Sequence, residues 1–198
     1  MSATREYSHW PWFGLVAATL TLVAVRFGLP SPDTAYLNGN ESPIHTLLTT
    51  HLSHHSWQHL SSNVVAMGLL LYLFPVRISH WLLGFWLTVV ATAAVVKWHG
   101  IEAYLGFSAM LYVIPGCYVL NLMLRQQWWV CGVMLLILLT HLQVSSPLRA
   151  TAPEVWMPMG IAHWIGFMAG LMSSLICVQI KTMRNQKQSP KPCHENSS

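Results

Sequence analysis

Long apolar runs broken by short polar stretches set the pattern of this chain. Runs long enough to cross a bilayer, which takes about 20 apolar residues per helix, fall at 11–29, 58–76, 79–96, 106–124, 127–143 and 158–180. They predict six helical spans and leave no room for a separate soluble domain. The first run lies close to Met1 but has no small-residue cleavage site, and five more runs follow it, so it reads as a first span and not as a secretion signal. From Lys181 onward the sequence turns to Lys, Gln, Pro and Ser. The expected organisation is one all-α membrane unit over 1–180 and a disordered basic cytoplasmic tail over 181–198.

Composition agrees with that solvent. Hydrophobic residues make up 54% of the 198 and charged residues only 8%, against about 25% charged in an average soluble domain. With the N-terminus cytoplasmic, Arg5, Arg77, Arg125, Lys181, Arg184, Lys187 and Lys191 lie inside, against Arg26, Lys97 and Arg149 outside. That bias orients both termini to the cytoplasm. The formal net charge of +4 therefore reports topology and anionic lipid, and calls for no nucleic acid. Cys117, Cys131 and Cys177 sit in apolar runs and Cys193 in the tail, a distribution that builds no disulfide framework.

On this topology the second, fourth and sixth spans all begin at the outer face, and each begins with polar residues. The second opens with "HLSHHSWQHLSSN", carrying His54, His59 and Asn63; the fourth with "YLGFSAMLY", carrying Ser108; the sixth with "GIAHWIGFMAG", carrying His163. Polar groups inside spans are costly and are functional candidates by default. A serine and a histidine on different helices can act as nucleophile and general base. No acidic residue is placed to complete a triad, so the pair would be a dyad. His59 and Asn63, four apart, share one helical face and can donate to an oxyanion, with His54 joining them if the chain bends at the helix entrance. Ser108 opens its helix, where free N–H groups favour negative charge.

These residues resemble the rhomboid intramembrane serine proteases. Three motifs carry the resemblance in order: H-x4-H-x3-N at His54, His59 and Asn63, G-x-S at Gly106 and Ser108, and A-H-x-x-G-x-x-x-G at Ala162, His163, Gly166 and Gly170. The resemblance implies a six-transmembrane-helix rhomboid bundle with Ser108 as nucleophile and His163 as base. It makes His54, His59 and Asn63 the oxyanion side, and Gly106, Tyr112, Gly166 and Gly170 the packing residues near the site. Within the family the chain is similar to the rhombosortases, which process exported proteins carrying a C-terminal tail of glycine-rich motif, short hydrophobic helix and basic end. The resemblance thus implies substrates of that kind, and an inner-membrane location with the site facing the periplasm. It calls for no cofactor and no metal. Ala109 stands where most members have glycine, and Tyr112 where many rhombosortases have histidine.

Other functions fit parts of the pattern. A general rhomboid protease would cut other single-span proteins. An inactive rhomboid-like protein would bind membrane clients, although it would have no need of both Ser108 and His163. "HLSHH" is also a histidine box, and His51, His55 and His59 recur every four residues, as metal ligands on one helix would. His51 and His55 otherwise read as solvated residues at the mouth of the site. A hydrolase elbow G-x-S-x-G is not met, because Met110 replaces the second glycine.

Overall fold

In the computed structural model the described residues are 46–54, 56–74, 76–99, 104, 106–145 and 159–188, with Thr19. The expected first span, 11–29, lies outside them. Six helices follow one another: α1 (Thr46–Leu52), α2 (Trp57–Leu73), α3 (Ile78–Trp98), α4 (Ser108–Leu124), α5 (Trp128–Ser145) and α6 (Met159–Gln188). Five fall on the runs expected as the second to sixth spans, and α1, seven residues long, adds about two turns before them. No strand occurs among the described residues.

Two of these helices, α3 and α6, are long and apolar enough to cross a membrane; α4 and α5 are shorter apolar helices. At 1.5 Å per residue, the 21 residues of α3 reach about 30 Å, the thickness of a hydrocarbon core. Outward faces are apolar: Val65, Leu69 and Tyr72 of α2, Leu136 and Ile137 of α5, and Met168 and Met172 of α6 are all exposed. Such faces suit lipid better than water.

Side-chain contacts give the helix directions. Ala109 meets Gly166 and Val113 meets Gly170, while Cys117 meets Ser173 and Ser174, so α4 and α6 run parallel. His54 packs near Phe107 and Phe74 near Tyr118, so α2 runs parallel to α4. His80 bonds Ser174 while Gly84 faces Ala169 and Ser173, so α3 runs antiparallel to α6. The starts of α2, α4 and α6 therefore share one end of the bundle. Leu60, Met67, Phe107, Met110 and Ile114 form the buried core between α2 and α4.

One boundary differs from expectation. The tail expected to be disordered from 181 is helical to Gln188, while residues 189–198 lie outside the described residues. Lys181, Met183, Arg184 and Gln186 are good helix formers, no glycine or proline intervenes before Pro190, and Lys187 in the last turn complements the helix dipole.

Candidate active site

Ser108 is the first residue of α4, following the N-cap Phe107, which offers no side-chain cap. Two residues earlier Gly106 has φ +143°, a conformation that only glycine adopts without strain. Gly106 was expected to be a packing residue, yet a Cβ there would find its nearest neighbour, the Ser108 hydroxyl, 3.9 Å away. Its requirement is conformational: the chain must turn sharply to bring Ser108 half-buried onto the helix start.

The sixth helix reaches this turn through small residues. A Cβ on Gly166 would stand 1.9 Å from the Ala109 carbonyl oxygen, and one on Gly170 2.3 Å from that of Val113. Gly116 on the α4 side is equally close to the Phe167 carbonyl, at 2.2 Å. Glycine at these positions lets two backbones touch, as in close transmembrane pairs. The buried His163 ring then lies flat on Tyr112, with centroids 4.2 Å apart and planes 14° from parallel. Tyr112 is one turn beyond Ser108, so Ser108 and His163 belong to the same end of the α4–α6 contact. Ala109 and Ala162, their chain neighbours, share a buried cluster with Val96 and Tyr104.

The start of α2 borders the same turn. Its N-cap Ser56 accepts a hydrogen bond from the His59 N–H at 3.2 Å, which ends the preceding loop and starts the helix. Asn63 is buried one turn further on, and its Nδ2 lies 2.9 Å from His54 Nε2. The roles in that bond follow from chemistry. His54 Nδ1 is 3.0 Å from the Leu52 carbonyl, which can only accept, so Nδ1 carries the proton and Nε2 of the neutral ring must accept. Asn63 therefore donates one N–H to His54. Both ring nitrogens of His54 are engaged within the protein, which makes it a support that orients the Asn63 amide and not, as expected, a donor itself. Its ring meets His59 edge-on at 5.4 Å and Phe107, next to Ser108, at 6.5 Å.

His51 departs from the sequence reading most. It is fully buried, not a solvated mouth residue, and packs edge-on against Tyr104 at 5.1 Å. Burial pushes its imidazole down to about 3 and raises the Tyr104 phenol above its usual value, so both are neutral at physiological pH. The histidine row for a metal is also broken. α1 ends at Leu52 and α2 begins at Trp57, so His51 and His59 lie on different helices; His55 lies outside the described residues. Among the described residues no group of three His, Cys, Asp or Glu side chains is arranged to hold a metal ion. Tyr104 and Thr50 carried no sequence signal beyond standing near the two motifs.

The arrangement gathers a serine at the start of α4, a buried imidazole stacked on Tyr112 one turn further along that helix, and the Asn63–His54 pair, whose imidazole borders Phe107. No protein-family model, no curated protein and no solved structure matches this chain.

Proposed function

We propose that the chain is a rhomboid-type intramembrane serine endopeptidase, with Ser108 as nucleophile and His163 as general base. One observation carries the proposal: the three polar motifs, more than 40 residues apart in sequence, converge on the start of α4. His54 borders Phe107, and His163 stacks on Tyr112. In this reaction Ser108 Oγ attacks the scissile carbonyl while His163 takes its proton. The oxyanion is met by N–H groups at the start of α4 and by Asn63 and His59. Collapse breaks the C–N bond as His163 protonates the leaving amine, and water then hydrolyses the ester by the same route.

The wider setting is a six-span rhomboid bundle in the inner membrane, with both termini cytoplasmic and the site near the periplasmic face. The substrate is the C-terminal tail of an exported protein, with a glycine-rich motif, an apolar helix and a basic end. Such a tail suits the site because a helix hides its carbonyls in its own hydrogen bonds, and glycine weakens a helix by about 1 kcal/mol relative to alanine.

The test is cleavage of a reporter by purified protein in detergent or proteoliposomes. Ser108→Ala and His163→Ala should each abolish cleavage while the protein stays folded. The double variant should lose little more, because residues acting as a unit are non-additive. Near wild-type cutting by Ser108→Ala would reject the proposal.

A further inference from the structure

Helix α1 is only seven residues long, too short to persist alone, yet Thr50 and His51 at its end are wholly buried. Both face the segment that leads into Ser108. The Thr50 hydroxyl donates to the Tyr104 carbonyl, and the Gly106 N–H donates to the Thr50 carbonyl at 3.0 Å. In return the Tyr104 hydroxyl donates to the Gly106 carbonyl at 3.0 Å and lies 3.3 Å from His51 Nδ1. A phenol has one proton to give. With that proton on the Gly106 carbonyl, the phenol oxygen accepts from His51, whose proton is thereby held on Nδ1.

Gly106 is the weak point of the loop. Glycine has more conformational freedom to lose than any other residue, and this one stands two residues before the proposed nucleophile, at a helix start with no side-chain cap. Its N–H is held by Thr50 and its carbonyl by Tyr104. We propose that His51 and Tyr104 form a clamp that fixes the Gly106 turn and thereby aims the Ser108 hydroxyl at His163, which makes both positioning residues for the reaction. This rests on the serine-protease function proposed above. The clamp acts on the chemical step, because its contacts fall on the loop that leads into the proposed nucleophile. A nucleophile displaced by about 1 Å can lose about 10²-fold in rate.

The experiment uses the full-length protein in detergent and reads the rate at which a fluorophosphonate probe labels Ser108, kcat and KM on a single-span reporter, and the unfolding temperature. Tyr104→Phe deletes one oxygen and keeps the ring packed on His51. Its labelling rate and kcat should both fall about 10- to 100-fold, with KM within about two-fold and the folded fraction unchanged at assay temperature. His51→Leu should give a similar loss, the double variant no further loss, and His51→Gln, which keeps an N–H donor, a partial recovery. Wild-type labelling by Tyr104→Phe, a rise in KM alone, or a loss that tracks the folded fraction would overturn the clamp. Should Tyr104→Phe not fold, labelling faster in His51→Gln than in His51→Leu at matched folded fraction supports the clamp, and equal rates overturn it. Wild-type protein that never labels at Ser108 would instead remove the protease function, and the clamp with it.

Discussion

Changing Gly166 to alanine adds one carbon where the structure leaves no room. The new Cβ would stand 1.9 Å from the Ala109 oxygen and 2.8 Å from its carbonyl carbon. Both neighbours are backbone atoms, so no rotamer relieves the contact. Cβ atoms essentially never approach closer than 3.0 Å, so α4 and α6 must part by about 1.1 Å in a densely packed region. Ala109 adjoins Ser108, and Gly166 lies three residues after His163, so the separation falls on the proposed dyad. Overpacking of this kind costs about 1–3 kcal/mol of stability, and a 1 Å misplacement costs about 10²-fold in rate. Gly166→Ala should therefore cut at about one hundredth of the wild-type rate even where it remains folded, measured by reporter cleavage alongside thermal unfolding. Gly170→Ala, with its 2.3 Å contact at Val113, should destabilise as much but act less on rate, being a turn further from Ser108. Gly84→Ala meets the movable Val113 Cγ1 and should be milder. Gly132→Ala meets nothing within 4 Å and should be neutral or slightly stabilising. Activity of Gly166→Ala within about three-fold of wild type, at equal folded fraction, would refute the claim that close α4–α6 contact aligns the site.

Asn63→Ala should lower kcat by about 10²- to 10³-fold, as loss of one oxyanion donor does, with KM little changed; unchanged kcat with a lower unfolding temperature would make its bond to His54 purely structural. His54→Ala should act through Asn63, so the double variant should be no slower than Asn63→Ala, and additive losses would contradict the support role. A reporter with a glycine-rich motif, short apolar helix and basic end should be cut and its product released on the periplasmic side; efficient cutting of other single-span proteins with no cutting of this reporter would favour a general rhomboid protease. On the acid side, His51 is held near 3 when folded and returns to about 6.5 when unfolded. Its contribution to stability is therefore complete above about 6.5 and is lost as pH falls toward 3, because the unfolded chain takes up a proton that the buried ring refuses. The unfolding temperature should drop between pH 7 and 5, and His51→Gln should make that slope shallower; an unchanged slope would contradict the burial argument.

What could be read from the sequence was whatever repeats at helical spacing. Apolar runs located five of the six described helices, although α6 runs on to Gln188, well past the expected 180, and the four-residue step from Gly166 to Gly170 anticipated the face that α4 touches. The step from His59 to Asn63 likewise put both near the entrance of α2. Contacts made across loops left no such trace. Nothing periodic links His51 to Tyr104, 53 residues later, and the polar company of "HLSHH" pointed toward solvent when the fold buries His51 completely. Direction of donation was also beyond the sequence: only the Leu52 carbonyl beside His54 Nδ1 reveals that His54 supports Asn63. Gly106 looked like its motif partners, yet it serves a left-handed turn where Gly166 and Gly170 serve a close approach.

In the membrane setting proposed above, the division of labour among the helices follows from the solvent. Lipid tails are as apolar as leucine, so helices gain little by burying apolar faces against one another, and small residues and polar contacts decide which pairs associate firmly. Those devices concentrate on α4 and α6. Gly116, Gly166 and Gly170 bring their backbones together, and further along Cys117 donates to the Gly170 carbonyl at 3.3 Å while Ser174 bridges toward the Cys117 carbonyl and His80 of α3. Among its described side chains, α5 shows neither device: Gly132 faces open space, and Trp129, Leu136 and Ile137 are exposed. The pair held most tightly is the pair that carries Ser108 and His163. In the proposed dyad, the stack on Tyr112 and this close pairing of helices orient the imidazole. Tyr112→Ala should then lower kcat well beyond any loss of stability, whereas Tyr112→Phe, which keeps the stacking face, should retain most activity. Equal kcat in the two variants at matched folded fraction would show that something other than the stack orients His163.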